Sequence, residues 1–458
     1  MNRPSDKRPK AVLVGVQLPD VSDEDFAASL DELARLVKTL GYEPTGRVTQ
    51  RREQLANAAV LGEGKLVELA EWTGGDGVLV GGAKINKSKA RLRFDGADDE
   101  RDHDDEPPDE EAPEESQDTV KLVAVDHELT PSQARNLERA VGATVLDRSG
   151  VIVEIFHRHA RSREARLQVE IARLKYIVPR LREGSGGDRQ RGGVGGKGAG
   201  ETSLELDRRR VRDRIAELER ELTLVHREAQ TRRDRRKDAR RVALVGYTNA
   251  GKSSLMRALT GSEVLVEDKL FATLDTTVRA LQPECQPRVL VSDTVGFIDK
   301  LPHDLVASFR STLDEAREAS LLLFVVDASD PRFRTQLRVT KTVLDEIGAL
   351  DSPSRVFFNK CDQLTRDQVY ELRSEFADGI FGSAHKPEDV TALRSTLIDY
   401  FDQSLVALEL QTTHARSGAL LARMHAVGRV THEEWTDEGL TAKGRFLAED
   451  IATLRAMA

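Results

Sequence analysis

Val242-Ala243-Leu244-Val245-Gly246-Tyr247-Thr248-Asn249-Ala250-Gly251-Lys252-Ser253-Ser254 joins a four-residue apolar run to a Gly-x4-Gly-Lys-Ser turn. An apolar run without polar alternation is the pattern of a strand buried on both faces, as in a parallel sheet covered by helices. The two glycines allow backbone amides to wrap a phosphate. Lys252 brings a cation to the β and γ phosphates, and the Ser253 hydroxyl is placed to ligate Mg2+. The helical stretch Leu255–Leu259 follows at once, so strand, loop and helix stand in the order that a phosphate-binding loop needs.

Working outward, apolar strands at Val289–Ser292, Leu321–Val326 and Val356–Phe358 alternate with helical stretches, the rhythm of a doubly wound α/β sheet over residues 241–402. Asp293-Thr294-Val295-Gly296 closes the first of these strands. There the carboxylate would support a Mg2+ shell and the Gly296 amide would sense a γ-phosphate. Asn359-Lys360-Cys361-Asp362 closes the third. A carboxylate facing the base accepts from both N1–H and the exocyclic amine of guanine; adenine has no N1–H and would leave Asp362 underpaired. The pattern therefore predicts GTP and GDP rather than ATP. Ser383-Ala384-His385, beside a short strand near Ile380, would close over the guanine O6. A threonine ligand for Mg2+ is expected from Phe271-Ala272-Thr273-Leu274-Asp275-Thr276-Thr277, where Thr273, Thr276 and Thr277 are all candidates by spacing. The residue after Gly296 is Phe297, which cannot orient a water, so unassisted hydrolysis is expected to be slow.

The rest of the 458 residues calls for further domains. Residues 10–157 alternate strands (Ala11–Leu18, Gly77–Val80, Lys121–Val125) with helices (Asp23–Leu40, Gly64–Trp72, Pro131–Val141), which predicts an N-terminal α/β domain. Within it, Asp95–Asp118 carries 14 Asp and Glu against one Arg, a disordered acidic insert that accounts for more than the whole net charge of −9. Gly62-Glu63-Gly64-Lys65, before a helix, is the local candidate for a second nucleotide site, and reads in preference as a turn and helix cap.

Over residues 158–240, Leu167, Ile171, Leu174, Val178 and Leu181, and again Val211, Ile215, Leu218, Leu222 and Val225, are spaced as two heptad seams. Between them, residues 184–200 hold nine glycines with Arg189, Arg191 and Lys197. An antiparallel helical hairpin with a basic, glycine-rich loop follows, with Pro179 shortening its first helix. Residues 158–241 carry 25 Lys and Arg against 14 Asp and Glu, which makes RNA a candidate partner. Residues 403–458 form a small α+β unit, with strands near Val406–Leu410 and Ala442–Phe446 and helices near Ser417–Val427 and Ala448–Met457.

Several function classes are excluded by composition. The six-residue run Leu321–Val326 is far short of the roughly 20 that a membrane helix needs. Two cysteines, Cys285 and Cys361, support neither a disulfide framework nor a cysteine-rich zinc site, and no His or Cys cluster suggests a metal or thiol enzyme. The N-terminal apolar run exits into Pro19-Asp20 and reads as a core strand rather than a secretory signal, so a cytoplasmic location is expected.

Taken together, Gly-Tyr-Thr-Asn-Ala-Gly-Lys-Ser, Phe-Ala-Thr-Leu-Asp, Asp-Thr-Val-Gly-Phe and Asn-Lys-Cys-Asp resemble the HflX family of translation-associated GTPases. The resemblance extends to Leu129–Glu138, Val145–Arg148, Ile155-Phe156, Leu167–Glu170, Tyr176–Leu181, Gly198–Thr202 with Leu206–Arg210, Leu301–Val306 and Phe309–Leu313, and covers roughly residues 10–94 and 119–458. It implies a GTPase that binds the large ribosomal subunit through ribosomal RNA and splits or rescues stalled ribosomes under GTP control; the free chain is expected to be a monomer. The resemblance also assigns the Mg2+ threonine to Thr273. This chain departs from the family in having Thr276 in place of proline, Ser383-Ala384-His385-Lys386-Pro387 in place of a glycine-containing guanine loop, and the extra acidic insert. The competing reading is a GTP-gated regulator whose hairpin docks on a protein partner.

Overall fold

A computed structural model of the chain describes residues 8–79, 119–181, 203–234, 240–261, 270–271, 277–285, 288–299, 310–403 and 405–458. The acidic insert 95–118, the loop 184–200 with Arg189, Arg191 and Lys197, and Ala272, Thr273, Leu274 and Asp275 lie outside the described residues. The chain divides into two units, residues 1–155 with 179–181, and residues 156–178 with 182–458.

The first unit is built on strands β1 (Lys10–Gln17), β2 (Glu43–Arg51), β3 (Leu122–Val125) and β4 (Thr144–Asp147), all parallel in the order β2-β1-β3-β4. Helices α1 (Asp23–Thr39), α2 (Glu63–Thr73) and α3 (Pro131–Val141) connect them, and α4 (Arg148–His159) follows β4. Local chemistry sets the helix starts. The Ser22 hydroxyl accepts from the Asp25 amide ahead of α1, and Thr130 with Gln133 forms a reciprocal capping box with Pro131 in the first turn of α3. Gly62 is the N-cap of α2, as the turn-and-cap reading of Gly62–Lys65 required.

The expected strand at Gly77–Val80 does not form over its described residues; the Gly77 amide bonds to the Ala140 carbonyl instead. The sheet is completed instead by β2, whose only buried side chain is Val48, because an edge strand needs little apolar surface, and by the four-residue β4. At the carboxyl ends of the strands Arg148 is buried against Glu32 and Asp126, at 2.8 Å from the latter, and Asp126 also accepts from the Ser29 hydroxyl at 2.6 Å. The pairing supplies the partners that a buried guanidinium demands.

The second unit begins with the helical pair. Helix α5 (Arg163–Ile177) gives way to a 3-10 turn, Val178–Arg180, at Pro179, whose ring cannot continue an α-helix. Helix α6 (Ser203–Asp234) packs on α5 through Leu167, Ile171, Leu218 and Val225, flanked by Leu174, Ile215 and Leu222. Ion pairs Arg163–Glu221 (3.5 Å) and Glu170–Arg214 (3.3 Å) run in opposite senses along the two helices, which makes the pair antiparallel.

The nucleotide-domain sheet comprises β5 (Arg240–Val245), β6 (Thr277–Ala280), β7 (Val289–Asp293), β8 (Leu321–Asp327), β9 (Ser354–Asn359) and β10 (Ile380–Phe381), in the order β10-β9-β8-β5-β7-β6. Only the β6–β7 pairing is antiparallel. Helices α7 (Lys252–Thr260), α8 (Arg310–Arg317), α9 (Phe333–Glu346), α10 (Arg366–Glu375) and α11 (Pro387–Gln403) accompany it. Alternate residues of β5 enter different cores: Ala243 and Val245 pack with Phe324 and Phe358, whereas Val242 and Leu244 pack with Leu255, Leu259 and Phe357. Helices therefore cover both faces, and ligands of such sheets bind outside the carboxyl ends of the strands.

Beyond α11, strands β11 (Val406–Thr412), β12 (Gly428–Thr436) and β13 (Gly439–Phe446) form an antiparallel sheet in the order β11-β13-β12. Helices α12 (His414–Val427) and α13 (Ala448–Met457) pack on it around Leu420, Met424, Phe446 and Leu454.

Candidate nucleotide site

The turn between β5 and α7 wraps around its own lysine. The Lys252 ammonium donates to the Gly246 carbonyl at 3.0 Å and the Tyr247 carbonyl at 2.8 Å. Burial pushes Lys252 down to about 8, with the Asp293 carboxylate opposing that shift. A bound polyphosphate would hold the ammonium charged, so binding above pH 8 must take up a proton. Nucleotide affinity is accordingly expected to fall by about tenfold between pH 7 and pH 9, a change that titration calorimetry in buffers of different ionisation enthalpy would record as proton uptake.

Asp293, fully buried at the end of β7, accepts from the Ser253 hydroxyl at 2.7 Å. Thr294 is tied to the Leu244 carbonyl at 2.7 Å. The following segment lies along the loop: the Thr248 amide donates to the Phe297 carbonyl (2.7 Å), and the Phe297 amide to the Gly246 carbonyl (3.1 Å). Such an approach leaves no room for a side chain at Gly296, where a Cβ would stand 2.9 Å from the Thr248 backbone. The Tyr247 hydroxyl accepts from the Asp299 amide at 2.7 Å. Phe297 itself is buried with Ala243, Val245, Ala316 and Phe324. Its ring is a core element. The Thr248 hydroxyl is buried and has no hydrogen-bond partner among the described residues, so a phosphate oxygen fits its need.

At the base end, Asn359 is the brace. Its amide nitrogen donates to the Ala250 carbonyl and its amide oxygen accepts from the Ala384 amide, both at 2.9 Å. One buried side chain thus joins the phosphate loop to the segment Ser383-Ala384-His385. Gly251 makes the approach possible: φ is 90°, and a Cβ there would lie 2.3 Å from the Asn359 nitrogen. Lys360, in the left-handed region at φ 62°, reaches Asp327 at 2.6 Å. Asp362 is exposed at the rim. The Cys361 thiol donates to the Phe358 carbonyl at 3.1 Å, and burial pushes its pKa up. The Ser383 hydroxyl accepts from the His385 amide at 3.2 Å, and the Ser383 amide donates to Asp389 at 2.9 Å.

The structure thus gathers Gly246–Ser254, Asp293–Gly296, Asn359–Asp362 and Ser383–His385 at the carboxyl ends of β5, β7, β9 and β10. Of the expected switch stretch Phe271–Asp275, Phe271 is the described residue, and its ring is buried against Phe156. Two supporting residues escaped the sequence reading. Asp327 carries a readable signal, an acid at the end of an apolar strand in an α/β sheet. Asp389, on α11, carries none.

The phosphate loop, the acid at the end of β7 and the Asn-Lys-Cys-Asp turn define the class as a P-loop GTPase. Three family profiles match in succession: "GTP-binding GTPase N-terminal" over residues 27–86 and 110–157, "GTP-binding GTPase Middle Region" over 159–236, and "50S ribosome-binding GTPase" over 241–360. GTPase HflX of Gluconacetobacter diazotrophicus is 59% identical over 447 residues, which is 98% of this chain and 97% of that protein. GTPase HflX of Escherichia coli is 38% identical, covering 78% of this chain and 74% of that protein. Among solved structures, a GTP-binding protein from Sulfolobus solfataricus in complex with GDP aligns over 85% of this chain and 99% of its own, with 22% identity and a TM-score of 0.41. The chain belongs to the HflX family of GTPases.

Proposed function

We propose that this GTPase acts on the large ribosomal subunit and, gated by GTP, splits or rescues stalled ribosomes, with hydrolysis slow alone and accelerated by the ribosome. The observation that carries the nucleotide half is the Asn359 brace, which ties the guanine-reading turn to the phosphate loop. The phosphates lie in the amides of Gly246–Ser254, where Lys252 exchanges its two carbonyl partners for phosphate oxygens. Asp362 reads the guanine edge, and the Ala384 segment covers O6. Ser253, with Asp293 behind it and Thr273 from the first switch, is an all-oxygen set suited to Mg2+. The cation would supply charge neutralisation at the β and γ phosphates. With Phe297 committed to the core, the group that positions water comes from a partner, which makes the ribosome the trigger.

The match to a 50S ribosome-binding GTPase and the basic hairpin support the ribosomal half. A protein partner docked on the seam of the hairpin is disfavoured, because Leu218 is 1% exposed and already spent between α5 and α6. Changing Arg189, Arg191 and Lys197 together to Ala should weaken binding to large subunits, and should flatten the slope of log affinity against log salt by about two to three, measured by cosedimentation with a non-hydrolysable GTP analogue. An unchanged affinity and slope would remove the loop from the RNA interface.

A further inference from the structure

Phe271 has φ 59°, in the left-handed region that a bulky side chain rarely adopts. Such a conformation persists only where the surroundings over-determine it. What surrounds it is Phe156: the ring centroids are 4.5 Å apart with planes inclined at 54°, and the residues are 3% and 1% exposed. The two partners stand at informative places in the chain. Phe271 is two residues before Thr273, within about 7 Å of extended chain, so a threonine drawn to the nucleotide cannot move independently of it. Phe156 lies three residues before the end of α4, and α5 starts at Arg163 behind its Ser162 cap, so its ring sits at the root of the helical hairpin.

We infer that the Phe271–Phe156 contact is a positioning device that couples the first switch of the nucleotide site to the root of the hairpin. Two interlocked, almost fully buried rings are not continuously deformable. A shift of one either re-seats the other or opens a void that the core resists. The nucleotide state is thereby read at the base of the α5–α6 pair, on the side of the chain that leads to the basic loop. The inference rests on the reading of Thr273 as the residue that meets the nucleotide.

The test is amide hydrogen exchange across residues 152–177 of the full chain, with GDP and with a non-hydrolysable GTP analogue, in the parent protein, Phe156→Leu, Phe271→Leu and the double variant. Leucine keeps the site apolar, and bound nucleotide is verified by a fluorescent analogue. The parent should show a difference of about threefold or more in exchange between the two nucleotides near Phe156. Either single change should erase that difference, the double change should add nothing, and Phe156→Leu should leave GDP affinity intact. A purely structural role would raise exchange equally with both nucleotides and preserve the difference. That result, or a parent without any difference when both nucleotides are bound, overturns the coupling. Thr273→Ala separates the two readings: if it alone erases the difference, the switch assignment stands and the coupling falls. If the phenylalanine changes erase it and Thr273→Ala does not, the coupling stands and the assignment of Thr273 falls.

Discussion

Asp362→Asn is expected to weaken GTP binding by about 100- to 1,000-fold, the equivalent of two charge-assisted hydrogen bonds, and to raise the relative affinity for xanthosine triphosphate. In the proposed base-reading role the carboxylate would accept from two adjacent N–H groups of guanine. A carboxamide offers one acceptor and one NH2, which opposes the exocyclic amine of guanine and suits the oxygen that xanthine carries at the same position. Asn359 should keep the turn in place in the variant, because its bonds to Ala250 and Ala384 do not involve Asp362. Displacement of a fluorescent nucleotide by both triphosphates would measure the effect. Equal loss for both would mean that the residue shapes the loop without reading the base.

Lys252→Ala is expected to lower nucleotide affinity by about 100-fold or more and to abolish hydrolysis, because a buried cation on the phosphates is replaced by nothing. The same change should leave the unliganded protein at least as stable as the parent. The lysine pKa is pushed down to about 8 from its ordinary 10.5, so between those values the unfolded chain binds a proton that the folded one does not. The burial cost is therefore fully present below pH 8 and is relieved as pH rises toward 10.5, at about 3 kcal/mol in total, offset in part by the two carbonyl bonds. Thermal melts with and without GDP would separate the two effects: the variant should keep its unliganded midpoint and lose the rise that nucleotide confers in the parent.

Much of this was legible in the sequence where one physical cause dominates. Val242–Val245 had to be a strand buried on both faces because it has no polar alternation, and the loop behind it carries its chemistry in residue types alone. Most of the hairpin seam was readable from spacing, since Leu167, Ile171, Leu218 and Val225 meet as the heptads require, whereas Val178, Leu181 and Val211 lie outside the packed cluster and Val178 falls in the 3-10 turn. What escaped were elements whose stability comes from neighbours. Strand β2 buries only Val48, β6 has four residues of which none is fully buried, and β12 is almost wholly exposed, so none carries an apolar period. Within the site, Asp389 supports Ser383 from a helix six residues on, and the Tyr247 hydroxyl holds the Asp299 amide across 52 positions. The contact of Phe271 with Phe156 joins residues 115 positions apart. Such long-range partners follow from the assembled fold, which local pattern does not encode.

The most direct test of the account is the rate of GTP hydrolysis by the full chain alone and with isolated large subunits, small subunits and intact ribosomes, with Lys252→Ala as the control. The account predicts a slow rate alone, little change with small subunits, stimulation by about tenfold or more with every particle that contains the large subunit, and no stimulation in the control. A rate that stays equally slow with all three particles would contradict it.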